Sequence, residues 1–158
     1  WLLIGLVGSM LGATLVAQFE RTLQAQLALA YFIPAIVYLA DAVGTQSEAV
    51  AVRGLSLTRV GIGRLLLGEL STGVLMGLAL ALLAGLFSMA AFTQASLALS
   101  VAISLLAACA VATSIGLLLP WLFARASWDP ALASGPVATI IQDVLSLMIY
   151  FAVASALV

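Results

Sequence analysis

Asp41, Glu48 and Asp143 stand inside stretches otherwise apolar enough to lie in a membrane. Lipid offers a carboxylate no hydrogen bond, and even a lenient insertion scale puts an acid at the bilayer centre at about 2.5–3.5 kcal/mol. Their spacing groups them into stripes. At about 100° per residue, Pro34, Asp41, Thr45 and Glu48 fall on one helix face with Gly44 beside them. Pro136, Thr139, Asp143, Ser146 and Tyr150 share a face of a second helix, from which Ile140, Ile141, Val144 and Leu145 turn away. Carboxylates, hydroxyls and freed carbonyls, with no thiolate or imidazole among them, suit a hard cation such as Mg2+ or Ca2+. Mg2+ sheds water reluctantly, so the expected arrangement is a few carboxylates around a mostly hydrated ion. Asp143, Asp41 and Glu48 are therefore the candidate metal-binding residues, with Gly44, Thr45, Gly135, Pro136, Thr139 and Ser146 as supporting, path-lining positions.

Pro34 and Pro136 are each expected to remove a backbone donor and free a carbonyl one turn earlier, which membrane depth tolerates only beside protein or water. Gly44 and Gly135 would permit a bend or a close backbone approach. Counting about 1.5 Å per residue, Asp41 lies about 18 Å of helix from Arg53 and Asp143 about 21 Å from Asp129, both near the middle of a hydrocarbon core about 30 Å thick. Glu48 is expected lower, about 7–8 Å in from Arg53. The competing explanation makes the acids neutral hydrogen-bonding groups that hold helices together, or halves of buried ion pairs. No basic residue is expected at matching depth, which disfavours the ion pair.

The elements that must position these residues are membrane helices. Of 158 residues, 65% are hydrophobic and 7% charged, against roughly 25% charged in soluble domains. A span needs about 20 mainly apolar residues, and five stretches qualify: 1–19, 27–52, 64–88, 95–124 and 130–158. The expectation is an all-α, multi-pass protein of the plasma membrane, folded as a single transmembrane domain over 1–158. The first stretch is too long for a signal-peptide core and has no basic residue before it, so it is expected to be a true span with residues preceding it. Arg53, Arg59 and Arg64 fall between the second and third stretches and Arg125 between the fourth and fifth, so the positive-inside rule makes that face cytoplasmic. The N-terminus is then inside and the C-terminus outside, with Arg21, next to Glu20, as a single charge in a short outer loop.

Other residues have ordinary explanations. Gly73 and Gly77 form a GxxxG pair, and Gly5, Gly8 and Gly12 line the first span, as expected of closely packed membrane helices. Glu69 is expected to pair with Arg64 or Arg59 at the cytoplasmic interface. Asp129 before Pro130 looks like a helix start, and Trp1, Trp121 and Trp128 fall where an aromatic belt belongs. Cys109, the single cysteine, reads as a buried packing residue. The absence of histidine removes Ser-His-Asp catalysis and His/Cys zinc sites, and no basic tract offers nucleic acid a surface. An enzyme is not expected.

Taken together, these residues resemble the transmembrane domain of the MgtE magnesium transporters, which are distantly related to a eukaryotic solute-carrier family. The second span is similar in its Pro34, its Asp41-Ala42-Val43-Gly44-Thr45-Gln46-Ser47 element and its Arg53-Gly54 end. The third matches at Glu69, Gly73 and Gly77. The last matches at Asp129-Pro130-Ala131, Gly135-Pro136, Thr139, Asp143 and Tyr150-Phe151. The resemblance implies a homodimer of five-helix subunits around a central Mg2+ path lined by spans two and five, with Asp143 as the main ion-binding residue. It implies no organic cofactor; the lipid bilayer and the cation are the expected partners. Asp41-Ala42 stands where the family has Gly-Asn, Ile140 replaces the second Thr of a Thr-Thr pair, and Gln142 replaces a hydroxyl-type residue. The family's cytoplasmic regulatory portion has no counterpart in these residues. Two alternatives remain: an exchanger coupled to H+ or Na+ through Asp41 or Glu48, and a non-transporting scaffold whose acids only bind helices together.

Overall fold

The computed structural model describes residues 2–55, 61–132 and 135–158, and the described residues form helices and turns without a strand. The order is α1 (Leu2–Gln18), α2 (Glu20–Ala25), α3 (Leu29–Leu55), α4 (Ile62–Phe92), α5 (Ala95–Arg125), a single 3-10 turn (Pro130–Leu132) and α6 (Pro136–Leu157). Helices α3, α4, α5 and α6 are long and apolar enough to cross a membrane. The 17-residue α1 is apolar but shorter. At about 1.5 Å per residue it measures about 25 Å, just under the hydrocarbon thickness of about 30 Å.

Three boundaries differ from the sequence reading. The polar segment after the first apolar stretch is itself a helix, α2, whose six residues are too few for a hydrophobic period to register. The segment after the third is almost all helix as well: α4 runs to Phe92 and stops only where Thr93 adopts a left-handed φ of 54°, its N–H donating to the Met89 carbonyl. The last span begins at Pro136 and not at residue 130. Asp129 does cap a helical start, since its Oδ1 accepts from the Ala131 N–H at 2.9 Å, but that start is only the 3-10 turn. Gly135, at φ 111°, then redirects the chain in a conformation that disfavours any side chain, and Pro136 opens α6. Asp143 is consequently about 10 Å of helix from the start of α6, because the continuous rise assumed from Asp129 is interrupted.

Helix α5 is central and packs against α3, α4 and α6, while α1 lies along α6. Close approach explains the small residues. A Cβ on Gly73 would meet the Ala110 Cα and the Cys109 carbonyl oxygen, each at 2.8 Å, and one on Gly77 would meet the Leu106 carbonyl oxygen at 3.0 Å. The GxxxG pair is therefore the α4–α5 seam within one chain. Gly8 and Gly12 seat Ile140 and Leu147 of α6, whereas Gly5 has nothing within 4 Å. An apolar core of Leu29, Phe32, Ile36, Leu97, Val101, Leu105, Tyr150 and Phe151 fills the end of the bundle near the α2–α3 and α4–α5 turns. There the Tyr150 hydroxyl donates to the Leu29 carbonyl at 2.8 Å, and Phe19 stacks on Phe151. Side chains tie the same end together, since Gln26 Nε2 donates to Gln94 Oε1 and the Thr22 and Ser155 hydroxyls are 2.9 Å apart.

At the opposite end Arg125 lies over the Trp121 ring, 5.3 Å from its centre, and Trp128 meets Phe123 edge to face. These positions suit rings at a membrane–water boundary. Trp1 and Arg59 lie outside the described residues. Among the described residues no ion pair joins Glu69 to Arg64, so that part of the expected interfacial pairing is absent, and the part involving Arg59 also falls outside them.

Candidate cation site

Helices α3 and α6 touch directly, and their contact brings the two polar stripes face to face. Thr139 engages the Asp41 carboxyl through its side chain, and Asp41 is close enough to act electrostatically on both Glu48 and Asp143. The structure therefore assembles Asp41, Thr139 and Asp143 from positions about a hundred residues apart in the chain. Thr45 and Ser146 are beside them with their hydroxyl protons already committed: Thr45 donates to the Asp41 carbonyl at 2.9 Å and Ser146 to the Asp143 carbonyl at 2.9 Å. Such back-bonding leaves the oxygen lone pairs as acceptors.

Asp143 and Thr139 also line a cleft of about 600 Å³ between α1 and α6, together with Gly135, Ile140, Leu2, Gly5, Leu6 and Ser9. Ser9 is the site residue that sequence reasoning missed. It is a serine among small residues on an apolar helix, its hydroxyl donating to the Gly5 carbonyl, and no spacing rule separates it from packing.

Glu48 is placed differently. It is 2% exposed and sits where α3 meets α5, with its backbone nitrogen 3.0 Å from the position a Cβ on Gly116 would take. It does not line the cleft that holds Asp143. Oδ1 of Asp41 and Oε1 of Glu48 are buried without a hydrogen-bond partner. Among the described residues, no group of three or more His, Cys, Asp or Glu side chains could hold a metal ion. The acids form an extended string and not a closed cage.

Of the supporting positions, Gly44 is buried at the three-helix junction, pressed by the side chain of Gln142 from α6. Pro34 lies exposed inside α3, where its missing N–H leaves the Ala30 carbonyl without its helical donor. Pro136 does not act this way. It occupies the first turn of α6, where the absent N–H has no intrahelical partner to lose, so the expectation of a freed carbonyl inside that span is corrected. Tyr150 is buried in the core, bonded to α3, and stands apart from the acids.

A string of carboxylates and hydroxyls in an apolar bundle, with Asp143 and Thr139 at a cleft and partnerless buried oxygens on Asp41 and Glu48, is chemistry for a hard cation carrying its water. Comparison with known proteins agrees with this class. The profile of the family described as "MgtE: Divalent cation transporter" matches residues 33–153, which include all three acids. The chain is 34% identical to a protein named magnesium transporter MgtE from Bacillus subtilis, an alignment covering 100% of the chain and 36% of that protein. It is 36% identical to one of the same name from Enterococcus faecalis, covering 98% of the chain and 35% of that protein. For the Thermus thermophilus protein of that name the figures are 32%, 99% and 35%. The chain thus spans about a third of the length of the curated relatives it matches. With a family match over most of its length and alignments that span nearly all of its own residues, the chain belongs to the MgtE family, a family of transporters and not of enzymes.

Proposed function

We propose that this chain is the ion-conducting membrane portion of a magnesium transporter, working as a homodimer in the plasma membrane. The observation that carries the reading is the string from Asp143 through Asp41 to Glu48, in which Asp41 Oδ1 and Glu48 Oε1 are buried without a hydrogen-bond partner inside a largely apolar bundle. Leaving such acceptors unsatisfied costs about 1–3 kcal/mol each, and more for charged groups. A passing cation supplies the missing partner. Six waters at about 30 Å³ each occupy about 180 Å³, so the cleft of about 600 Å³ beside Asp143 has room for an ion with its inner hydration shell. Asp143 provides charge there, while Thr139 and Ser9 offer hydroxyl oxygens to the ion's waters.

In the same reading α1 is a fifth span, the N-terminus is cytoplasmic and the C-terminus external, and a second copy of the chain closes the open side of the Asp143 cleft. Asp41, between the other acids, sets the field, and Glu48 extends the negative potential toward the cytoplasmic end of α3. Flux through the reconstituted protein tests the proposal. Asp143→Ala is expected to lower Mg2+ uptake into liposomes by tenfold or more, taking at least about 1.4 kcal/mol for the lost interaction; undiminished uptake would overturn the assignment. Light scattering of the detergent-solubilised protein is expected to give the mass of two chains.

A further inference from the structure

Gln142 precedes Asp143 on α6, yet its side chain points elsewhere. It is 2% exposed, and neither its amide oxygen nor its amide nitrogen has a hydrogen-bond partner. The amide lies flat on Gly44 of α3: a Cβ at Gly44 would sit 2.6 Å from the Gln142 Cδ and 2.8 Å from its Nε2. Water does not rescue it, because the neighbouring void, lined in part by Ala108, Ala112 and Ser146, is too narrow for a water molecule. A residue of the same shape without an amide would fill this place at no polar cost.

One group nearby has the complementary deficiency. Glu48 is four residues after Gly44 on the same face of α3. Helix side chains lean toward the N-terminus, so the Glu48 side chain covers the turn that Gly44 occupies. Its Oε1 is likewise buried and without a partner. An amide with unused donors thus lies on Gly44, and a carboxylate with an unused acceptor is carried one turn further along the same face of α3, at the junction where Gly116 of α5 closes on the Gly44 carbonyl. The Gln142 side chain thus links the helix that carries Asp143 to the Gly44 turn of α3, next to Glu48.

We propose that Gln142 is a positioning residue of the ion path, whose amide takes Glu48 as its hydrogen-bond acceptor when a divalent cation enters, fixing the carboxylate's angle and the α3–α6 spacing and thereby the ion size the path accepts. The inference rests on the transport reading above. A small rearrangement suffices, since the Gln142 amide already lies on Gly44, one helical turn from Glu48, and a hydrogen bond to a charged group is strong enough to choose between rotamers.

The test compares Mg2+ and Ca2+ flux into liposomes for the unmodified protein, Gln142→Met, Glu48→Gln and the double variant, with melting temperature measured alongside. Methionine keeps the length and flexibility of the side chain and removes the amide. Gln142→Met is expected to fold, to melt no lower than the unmodified protein, and to change the Mg2+:Ca2+ flux ratio by about tenfold, the scale of one lost hydrogen bond to a charge. In the Glu48→Gln background the same substitution is expected to change the ratio no further, because the two act through one contact. An unchanged ratio in Gln142→Met, or an equal change in both backgrounds, would overturn the inference while leaving the transport reading intact. Absence of Mg2+ flux from the unmodified protein would overturn the transport reading and this inference with it.

Discussion

A methyl group added at Gly44 would overlap the Gln142 amide, and one added at Gly116 would stand 2.6 Å from the Gly44 carbonyl oxygen. The two clashes differ in kind. A side-chain amide can swing aside, but a carbonyl can yield only by moving a helix. Gly44→Ala is therefore expected to cost about 1–3 kcal/mol by overpacking, and Gly116→Ala more, both read as lowered thermal unfolding temperature in detergent. Gly5→Ala, with nothing within 4 Å, is the control that leaves stability unchanged. Asp41→Asn keeps the Thr139 contact and removes the charge between Glu48 and Asp143, so it is expected to shift ion preference without a large loss of stability. Equal selectivity in flux assays would remove Asp41 from the path. Removing the Tyr150 hydroxyl with Tyr150→Phe is expected to cost about 1 kcal/mol by loss of the bond to the Leu29 carbonyl, with ion selectivity untouched.

At the scale of elements, the long helices were legible because their apolar runs exceed the length of a span, and the acidic stripes were legible because 100° periodicity places Asp41 with Glu48 and Thr139 with Asp143. What periodicity could not tell was which of two similar signals starts the last helix. Asp129-Pro130 and Gly135-Pro136 both fit a helix N-terminus, and only the positive φ of Gly135 and the packing of Ala138 and Gln142 choose the second. Periodicity alone is equally silent on the partner of each stripe, since a face has a direction only once its neighbour is placed; the pairing of the two stripes rests on the similar depths of Asp41 and Asp143 and on the family resemblance. Gln142 was seen as an oddity of type but not as a packed strut, because its contact is with a glycine, which leaves no complementary side chain in the pattern. The GxxxG pair shows the same limit: the motif announces a close crossing and does not name the helix across it. Gly73→Ala is expected to push α4 from α5 and lower the melting temperature, whereas Gly68→Ala on the same helix, with open space around it, is expected to leave the seam intact.

For the whole molecule, the side-chain ties at Gln26–Gln94 and Thr22–Ser155 gather the α2–α3 turn, the α4–α5 turn and the end of α6 at one pole, while Arg53, Arg64 and Arg125 mark the other. Impermeant thiol reagents are expected to label Gln94→Cys from outside intact cells and Ser127→Cys only after the membrane is opened; the reverse pattern would invert the topology. Labelling of this kind is eased by the lone native cysteine. Cys109 lies sealed behind the α4–α5 seam with no exposed surface, so the protein arrives already silent to thiol chemistry. A single cysteine placed on the outward face of α4, at Leu82 or Leu86 (63% and 61% exposed), can carry a fluorophore or spin label on a helix that gives no side chain to the acidic string. Motions of the bundle during ion passage become measurable by spectroscopy without first stripping the chain of its own thiol.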